Sequence, residues 1–506
     1  MIKNKKYVPQ TINVKVKDFS KGLNLDEAEN ICDLGYTVSC YNFDFKSGAL
    51  VEGLGFEELT LPLSKEYGSK ESVFGGDSRF KYFQVWHFKH YNKTVGRLDK
   101  VLARTDLGLG YILYVTIFSN HILQSDIDFL SVSKTDRLFT KTVRARNMDA
   151  LIMSNNTDGT IIWTGESTYA KMPDMPKFVD LCYHKDKLFA LEHGERNYVR
   201  YSNKLDVADW TAEYKEDDFK LELNDSRGII NKLISCFGYL FCIRDFGITK
   251  LTTYENSDQI NTQHVFTSGS KIFENTVCDC GDKVVLLTKD GLFKFTGSSC
   301  EKINTNLNEL LSKITSVEHT IATFRTGIYY LATKIDFKDN KKIGCENLDN
   351  YINNVLIAFN VNDNTYSITR GIDIIDITTL QAESMDKVGM CFGSEYESYV
   401  GQITTGGKFF NNNAHKYWCS PLTDLGYSNK IKYVKNISLL SKYDCTLTVF
   451  TEKNQKTFKI KGKDVITKLP VNLRGKQVGV KIEADSAKAY ISNMNLEINL
   501  TDIKYQ

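Results

Sequence analysis

Residues 284–297 read VVLLTKDGLFKFTG, and this stretch decides the fold class of the chain. Two apolar runs flank Asp290 and Gly291, residue types that tolerate the backbone conformations of a tight turn. Phe293 and Phe295 are two residues apart, so they share one face of a strand. The stretch therefore predicts a β-hairpin in which Asp290 and Gly291 adopt positive φ values at the turn.

Paired strand candidates of the same kind recur along the chain. Each pair consists of an apolar run, a polar turn or loop and a second apolar run. The pairs are residues 179–183 with 187–192, 233–237 with 239–244, 283–288 with 291–296, and 326–333 with 355–360. Roughly 40 to 55 residues separate successive strong hairpins, which is close to the spacing of four-stranded propeller blades. The pattern predicts an all-β protein with a β-propeller of six or seven blades over residues 61–415.

The two ends of the chain differ from this central part. From Lys430 onward there are 15 Lys and Arg against 7 Asp and Glu, although the whole chain has a net charge of only +2. Short alternating runs between residues 431 and 498 are typical of an antiparallel sandwich. We predict an N-terminal arm or attachment segment over residues 1–60 and a basic C-terminal β-sandwich over residues 416–506.

One segment departs from the strand pattern. Residues 304–314 read NTNLNELLSKI, with four apolar residues at helical spacing and Asn304 or Thr305 available as an N-cap. We predict a short helix between blades whose apolar face packs on the propeller; the alternative is a groove for a partner.

Composition excludes several classes of protein. A net charge of +2 provides no global basic field of the kind that marks nucleic-acid binders. The first eight residues are charged and lack an apolar core, and no run approaches the roughly 20 apolar residues of a membrane helix. We therefore expect neither a secretory signal nor a membrane span. Twelve scattered cysteines without a C-x-x-C pair indicate free thiols in a protein assembled in a cytoplasm.

Candidate metal ligands are too few to form a site. Cys278 and Cys280 would point the same way on a strand, but two ligands do not make a structural zinc site. His87 and His90 have a helical metal spacing, yet the alternation around them favours a strand, which would separate them. The acidic clusters Glu216 to Asp218 and Asp373 with Asp376 lack the spacing of a calcium loop and are interpreted as solvated loops. We predict no metal and no cofactor.

Catalytic motifs are likewise absent from the sequence. There is no G-x-S-x-G elbow, phosphate-binding loop or dinucleotide fingerprint. A glycan-cleaving propeller remains an alternative because it needs only two or three carboxylates and an Arg cluster at the axis. Its repeated Asp-containing hairpin has one imperfect counterpart, SNNTDGTIIW at residues 154–163. We predict that the chain is not an enzyme and name no catalytic residue.

Basic and aromatic residues alternate in residues 79–100, RFKYFQVWHFKHYNKTVGRLDK. Such a stretch could follow a nucleic-acid backbone. The simpler interpretation is a strand with one solvent-exposed face.

Several passages resemble those of phage virion proteins. SKGLN at residues 20–24 and CYNFDFKSGALVEGLGFEEL at residues 40–59 resemble the opening of many phage and prophage virion proteins. VRYSNKLDVADWTAEY at residues 199–214 resembles a phrase of the same proteins. LPVNLRGKQVGVKIEADSAKAYISNMNLEI at residues 469–498 resembles the C-terminal sandwich of phage structural proteins.

Two further passages resemble a particular propeller family. They are RGIINKLISCFGYLFCIRDFGITKLT at residues 227–252 and KDGLFKFTGSSCEKINTNLNELL at residues 289–311. The family includes the packaged-DNA stabilisation (tail accessory) protein of short-tailed phages and, more distantly, the tail nozzle of related phages. The segment before Phe56 and residues 335–351 do not map onto it.

The resemblance implies a structural component of a bacteriophage tail or neck. Such a protein forms a homo-oligomeric ring around the DNA channel, helps to retain and deliver the genome, and lies close to packaged DNA. Its implied partners are other tail, neck and portal-adaptor proteins, and its location is the virion after assembly in the host cytoplasm. We expect the interfaces in residues 15–56 and in the basic C-terminal domain, with heterologous contacts that close into a ring.

Two other functions stay open at this point. One is a propeller on the virion that binds host-surface glycans, with Tyr417 and Trp418 as an aromatic platform. The other is the glycan-cleaving enzyme, which a paired-carboxylate cleft beside an Arg cluster would favour.

Overall fold

The structure, a computed structural model, is built almost entirely of β-strands. It describes residues 10–24, 32–62, 70–72, 81–92, 96–105, 111–118, 121–133, 136–145, 148–165, 169–173, 175–203, 210, 220–254, 257–337, 348–382, 385–393 and 398–502. Within these ranges the helical elements are one short α-helix, α1 (Asn308–Ser312), and the 3-10 turns Glu274–Thr276 and Leu348–Asn350. None of the helices in the described part has the length and apolar character needed to cross a bilayer.

The N-terminal part consists of short strands that pair in different places. They are β1 (Gln10–Val16), β2 (Ser39–Tyr41), β3 (Phe43–Lys46), β4 (Ala49–Glu52), β5 (Leu54–Glu58), β6 (Thr60–Pro62) and β7 (Lys70–Ser72). Strands β6 and β7 form a two-stranded hairpin.

Three four-stranded antiparallel sheets follow, which we call blades 1 to 3. Blade 1 is β8 (Tyr82–Asn92), β9 (Gly96–Thr105), β10 (Tyr111–Phe118) and β11 (His121–Ser131); blade 2 is β12 (Phe139–Ala145), β13 (Met148–Asn155), β14 (Gly159–Trp163) and β15 (Tyr169–Lys171); blade 3 is β16 (Phe178–His184), β17 (Lys187–Glu192), β18 (Tyr198–Tyr201) and β19 (Lys220–Glu222).

Blades 4 to 7 complete the repeat. Blade 4 is β20 (Ile230–Cys236), β21 (Tyr239–Arg244), β22 (Gly247–Tyr254) and β23 (Ser257–Thr267); blade 5 is β24 (Cys278–Asp279), β25 (Val284–Thr288), β26 (Gly291–Phe295) and β27 (Cys300–Lys302); blade 6 is β28 (Ile321–Arg325), β29 (Ile328–Thr333), β30 (Val355–Asn360) and β31 (Tyr366–Arg370); blade 7 contains β32 (Asp373–Ala382), β33 (Met385–Gly393) and β34 (Ser398–Thr405).

The C-terminal strands mostly build the second domain. They are β35 (Lys408–Phe409), β36 (Asn412–Asn413), β37 (Lys416–Cys419), β38 (Lys430–Ser441), β39 (Cys445–Thr451), β40 (Gln455–Ile460), β41 (Lys463–Gly475), β42 (Val478–Ala484) and β43 (Tyr490–Asp502).

The seven blades close into a ring. The fourth strand of blade 7 is β5 from the N-terminal part, which lies antiparallel to β34 with Phe56 opposite Ile403. Inner strand β32 of blade 7 contacts inner strand β8 of blade 1. Separate apolar clusters fill the interfaces between consecutive blades from blade 1 to blade 7. The predicted all-β propeller is confirmed, with seven blades.

The second domain is a β-sandwich that uses both chain ends. One sheet has the order β3-β4-β43-β38-β41, with β1 also paired to β43, and the other has the order β2-β37-β42-β39-β40. From Met494 to Leu500, buried residues of β43 alternate with half-exposed ones, the period of two that places one face on the core. The shared core includes Phe19, Phe43 and Trp418. Strands β1 to β4 thus belong to the sandwich and β5 to the propeller.

The hairpin at residues 284–297 forms, but its turn differs from the prediction. Thr288 lies opposite Gly291, so Lys289 and Asp290 are the loop residues, and only Gly291 has a positive φ, +123°. A Cβ at Gly291 would clash with Oδ1 of Asn308, a residue of α1. Glycine is therefore favoured at this position because the side chain of Asn308, which is remote in sequence, packs against it. Two consecutive positive φ values occur instead at Lys185 and Asp186, between β16 and β17.

The predicted helix is present in shortened form. Helix α1 begins after Leu307, which makes no side-chain cap, so the proposed caps Asn304 and Thr305 lie outside it. Leu307, Leu310 and Leu311 belong to the core between blades 5 and 6. The apolar face therefore packs on the propeller, as predicted.

Candidate functional site

The mouth of the propeller axis is the first candidate site. Inner strands of several blades converge there around a cavity of about 540 Å³. Strands β8, β16, β20 and β32 each have a register irregularity within their first residues, and Gln84, Asp180, Lys232 and Asp376 follow it. All four residues line the cavity. A bulge repeated in four blades thus places polar side chains at the axis.

Two of these residues are carboxylates that join consecutive blades. The N–H of Leu233 in blade 4 donates to Oδ2 of Asp180 in blade 3 at 2.6 Å. In the same way, the N–H of Val85 in blade 1 donates to Oδ2 of Asp376 in blade 7 at 3.0 Å. The second bond lies where the ring closes.

Burial affects the pKa of both carboxyl groups, Asp180 and Asp376. Asp180 is 9% exposed and Asp376 is 4% exposed. Burial raises the pKa of each; Lys232 opposes the rise at Asp180, and Arg137 opposes it at Asp376. Nη2 of Arg137 lies 3.0 Å from Oδ1 of Asp376, so both oxygens of that carboxylate accept a hydrogen bond.

Other polar groups around the mouth also bond to neighbouring blades. The amide of Gln84 donates to the carbonyl of Leu138 at 3.0 Å and accepts its N–H at 2.8 Å, which links blade 1 to the start of blade 2. Arg196 of blade 3 donates to Oδ1 of Asn231 at 3.0 Å and to Oε2 of Glu274 at 3.2 Å. The side chains at the axis thus hold the ring together.

Asp373 and Asp376 were noted in the sequence as an acidic cluster and interpreted as part of a solvated loop. That interpretation is wrong. Oδ1 of Asp373 accepts the N–H groups of Ile352 and Asn353 at 2.8 and 3.1 Å. Asp373 is 8% exposed. Both residues are anchors of inner strand β32. Glu216, Asp217 and Asp218 lie outside the described residues.

The aromatic platform proposed for host binding is also wrong. Trp418 is completely buried and packs edge-on against Phe19 at 5.1 Å in the sandwich core. Tyr417 stacks on Tyr41 with ring centroids 5.1 Å apart. Tyr417 is half-exposed and Trp418 is buried, so the two rings do not form a common exposed platform.

The candidate metal ligands are divided among different environments. His87 and His90 lie on β8, and Nε2 of His87 is 3.0 Å from Oδ1 of Asp99. Cys278 and Cys280 pack on the core between blades 5 and 6, and burial raises the pKa of each thiol to about 12. No group of three or more His, Cys, Asp or Glu side chains comes together as metal ligands in the described ranges.

Two other sequence candidates have structural roles. In the hairpin at residues 154–163, Oδ2 of Asp158 accepts the N–H of Ser133 at 2.9 Å, which ties the turn to the strand connection before blade 2. Strand β8, within the basic stretch at residues 79–100, is an inner strand, and Lys100 is 5% exposed beneath the Trp163 ring. In the last part of β8, Phe88 and His90 are buried while Lys89 and Tyr91 are exposed, which agrees with the interpretation of a strand with one solvent-exposed face.

Motif searches do not identify the axial carboxylates Asp180 and Asp376, but the residues next to them in the sequence indicate their role. Each lies between apolar residues of a strand, in VDL at residues 179–181 and IDI at residues 375–377. A charged residue inside an apolar run must find partners when the strand is buried. The identity of those partners, backbone groups of the next blade, has no local signature.

Comparisons with known proteins concern the fold. No family model matches the chain, and no curated protein matches it. Among solved structures, the Pan2 WD40 domain of Neurospora crassa is 8% identical, with a TM-score of 0.36 over 64% of this chain and 96% of that chain. BBS1N, solved in complex with ARL6DN, is 8% identical, with a TM-score of 0.38 over 69% and 97%. Hsv2 of Kluyveromyces lactis is 9% identical, with a TM-score of 0.34 over 64% and 99%.

Proposed function

We propose that this chain is a non-enzymatic structural component of a bacteriophage tail or neck. Copies of it form a ring around the DNA path and help to retain and deliver the genome. The phage setting comes from the resemblance of the passages at residues 20–24, 40–59, 199–214, 227–252, 289–311 and 469–498 to phage propeller and virion proteins. Other tail, neck or portal-adaptor proteins are its neighbours in this proposal.

The observation that carries the structural role is the use of both chain ends in one sandwich fastened to the propeller. Strand β1 pairs with β43 over seven residues, and β5, a few residues after β4, completes blade 7. A sandwich in which β1 pairs with β43, joined to the propeller through β5, is suited to transmit force between neighbours. This property suits a part of a particle that holds pressurised DNA.

The small size of the cavity at the propeller axis favours a DNA path between subunits over one through a single propeller. The axial cavity of about 540 Å³ has the size of a small-molecule pocket. A DNA duplex has a major groove alone about 12 Å wide, so it does not fit there. In our proposal, DNA passes through the centre of a ring of copies.

An exposed edge strand of the sandwich is the contact surface that we propose for ring assembly. Val465 and Ile466 on β41 are 60% and 61% exposed, the largest values among the exposed large apolar side chains of the described residues. Strand β41 is the edge of its sheet, and Lys461, Lys463 and Lys468 surround the apolar pair. Exposed edges and apolar pairs of this kind favour association with another chain.

The positions of the axial carboxylates argue against the enzymatic alternative. Glycoside cleavage needs one carboxyl group to transfer a proton and a second to act as nucleophile or base at an accessible bond. Asp180 and Asp376 are buried and accept backbone N–H groups of the next blade. Their role in the proposal is to hold the ring of blades.

Electron cryo-microscopy of purified particles tests the proposal. We expect this chain as a symmetric ring around the tail axis, with β41 at the subunit contact. Its absence from particles, or its presence only as peripheral spikes, would overturn the proposal.

A variant experiment tests the contact itself. The double substitution Val465→Asp and Ile466→Asp should abolish rings of the purified protein in mass photometry and negative-stain images. Ile229→Asp, at an apolar residue that is 37% exposed on the propeller, is the matched control and should leave rings intact. Rings that persist in the double variant would exclude β41 as the contact.

A further inference from the structure

A second cavity, of about 750 Å³, lies where the sandwich meets blade 6. We call it the junction groove. Its walls come from the β3–β4 hairpin of the sandwich, the loop at residues 20–22, the connection at residues 304–306 and the turn at residues 360–367. Its volume lies within the range of ligand sites, and it sits at an interface between domains, where such sites are frequent.

The floor of the junction groove is largely apolar, and the partly exposed ring of Tyr330 belongs to it. Tyr330 and Ile328 of β29, together with Ala358 of β30, form the side of blade 6 that faces it. Phe45 and Leu54 contribute from β3 and β5. A flat apolar floor with one aromatic ring accommodates the hydrophobic face of a ring-shaped ligand.

The rim of the junction groove carries neutral amides. Asn304 and Asn306 are exposed, and in the described part of the chain neither side chain has a hydrogen-bond partner. The side chain of Asn364 is equally unpartnered there, and its φ of +60° fixes it on the turn after β30. Each amide can donate two hydrogen bonds and accept two.

The turn that carries Asn364 is held by hydrogen bonds among its own residues. Asn360 donates from Nδ2 to Oδ2 of Asp363 at 3.0 Å, and Oδ1 of Asp363 accepts the N–H of Thr365 at 2.9 Å. Hydrogen bonds from Thr365 lower the pKa of Asp363, which keeps this carboxylate ionised and the turn closed. A wall that is already ordered loses little entropy on binding.

The one carboxylate on the β3 side of the groove is not neutralised. Oδ1 of Asp44 accepts the N–H of Phe45 at 2.8 Å, and Asp44 forms no ion pair with a described residue. Burial raises the pKa of Asp44, against the lowering effect of that N–H. When ionised, the Asp44 carboxylate can accept hydrogen bonds from ligand hydroxyl groups.

The charge of the groove excludes anionic ligands. Lys21 is the cation among its lining residues, and its Nζ lies 2.7 Å from Oδ2 of Asp33 and over the Tyr36 ring. Phosphate, sulfate or sialic acid would meet Asp44 and Asp363 without a free cation to offset them.

We propose that the junction groove binds a neutral saccharide, with the amides and Asp44 on its hydroxyl groups and Tyr330 against a sugar ring. The inference is independent of the ring-forming role. It assigns to this chain a carbohydrate site that lies away from the propeller axis.

A glycan array tests the inference on the full chain. The array should carry neutral hexose and N-acetylhexosamine oligosaccharides, sialylated glycans and heparin oligosaccharides, and the strongest hit should then be titrated by calorimetry. We expect binding to neutral members. Asn306→Ala and Asp44→Asn should each weaken the titrated binding at least about tenfold, the effect of losing one or two hydrogen bonds to a ligand.

Asn362→Ala is the matched control, because Asn362 is exposed on the same turn but does not line the groove. It should bind as the unmodified protein does. Tyr330→Phe keeps the ring and removes only the hydroxyl, so a smaller loss is expected. The inference is overturned by failure to bind any glycan, by binding only to sialylated or heparin members, or by binding that neither Asn306→Ala nor Asp44→Asn weakens.

Discussion

The side-chain amide of Asn42 pairs with the backbone of Arg370 in both directions. Nδ2 donates to the Arg370 carbonyl at 3.0 Å, and Oδ1 accepts the Arg370 N–H at 2.9 Å. Asn42 lies between β2 and β3 of the sandwich, and Arg370 ends β31 of blade 6. The amide thus continues the sheet of one domain into the other, as a strand residue would.

The first prediction concerns this link. Asn42→Ala should lower the free energy of unfolding by about 2–4 kcal/mol, because it leaves buried backbone groups of Arg370 without partners. Asn42 also has a φ of +60°, a conformation that alanine adopts at a cost of about 1 kcal/mol. Urea unfolding followed by tryptophan fluorescence measures the change. Asn13→Ala, at an exposed residue of β1, should be nearly neutral; equal stability of both variants would contradict the proposed role of the link.

The second prediction concerns the strand that closes the propeller. Phe56 of β5 is 1% exposed and contacts the rings of Phe392 and Phe409 at centroid distances of 5.1 and 5.3 Å. Phe56→Ala should cost about 3–5 kcal/mol and make blade 7 sensitive to limited proteolysis. Glu57→Gln, on the exposed face of the same strand, is the control. Unchanged proteolysis of Phe56→Ala would show that β5 does not secure the ring.

The third prediction separates charge from hydrogen bonding at the ring closure. Asp376→Ala removes the acceptor for the N–H of Val85 and should cost about 1–3 kcal/mol. Asp376→Asn keeps an acceptor oxygen and removes a buried charge, so it should cost less. Thermal unfolding of the two variants gives the comparison. An equal loss for the two variants would mean that the ion pair with Arg137, which both remove, is the dominant contact.

The fourth prediction is a pH dependence at Asp225. Burial alone would raise the pKa of this carboxyl group, but the N–H of Arg227 and the guanidinium of Arg244 lower it from 3.8 to about 2. Because the folded pKa is the lower one, ionised Asp225 stabilises the fold above about pH 4, and this contribution disappears as the pH falls toward 2. The stability difference between the unmodified protein and Asp225→Asn should therefore shrink across this window.

Urea midpoints of both proteins at neutral pH and at several values between about 4 and 2 measure that difference. Asp282→Asn is a suitable control because the Asp282 side chain is 75% exposed. A difference between the unmodified protein and Asp225→Asn that stays constant with pH would exclude the contact with buried Arg244 as its origin.

The fifth prediction concerns thiol reactivity. Burial raises the pKa of Cys182 to about 11 and those of Cys236 and Cys300 to about 12. Thiolate is the reactive form, so these residues should react slowly with a disulfide reagent at mildly alkaline pH. In guanidinium chloride all 12 cysteines should react at once. Rapid reaction of most thiols in the native protein would contradict the buried positions.

The hairpins of blades 3 to 6 could be predicted because the sequence pattern that specifies each hairpin lies within a short stretch of the chain. Alternation and turn residues lie within a few positions of each other, as at residues 187–192 and 239–244. The pairing of β5 with β34 and of β1 with β43 was not predictable in this way, because partners far apart in sequence share no local pattern. The junction groove could not be predicted for the same reason, because its walls come from four segments that are far apart in the sequence.

The closure of blade 7 by β5 has a consequence for the order of synthesis. About 340 residues separate Glu58 from Ser398, the start of the strand that receives β5. At about 5–20 residues per second, β5 waits on the order of 20 to 70 s after it leaves the ribosome. During that interval Phe56 lacks its partners in blade 7. The backbone N–H and C=O groups of β5 that later pair with β34 are also free to pair with another chain, which favours aggregation. The propeller therefore becomes complete only after residues 398–405 have been synthesised, so its maturation depends on a segment made about 340 residues after β5.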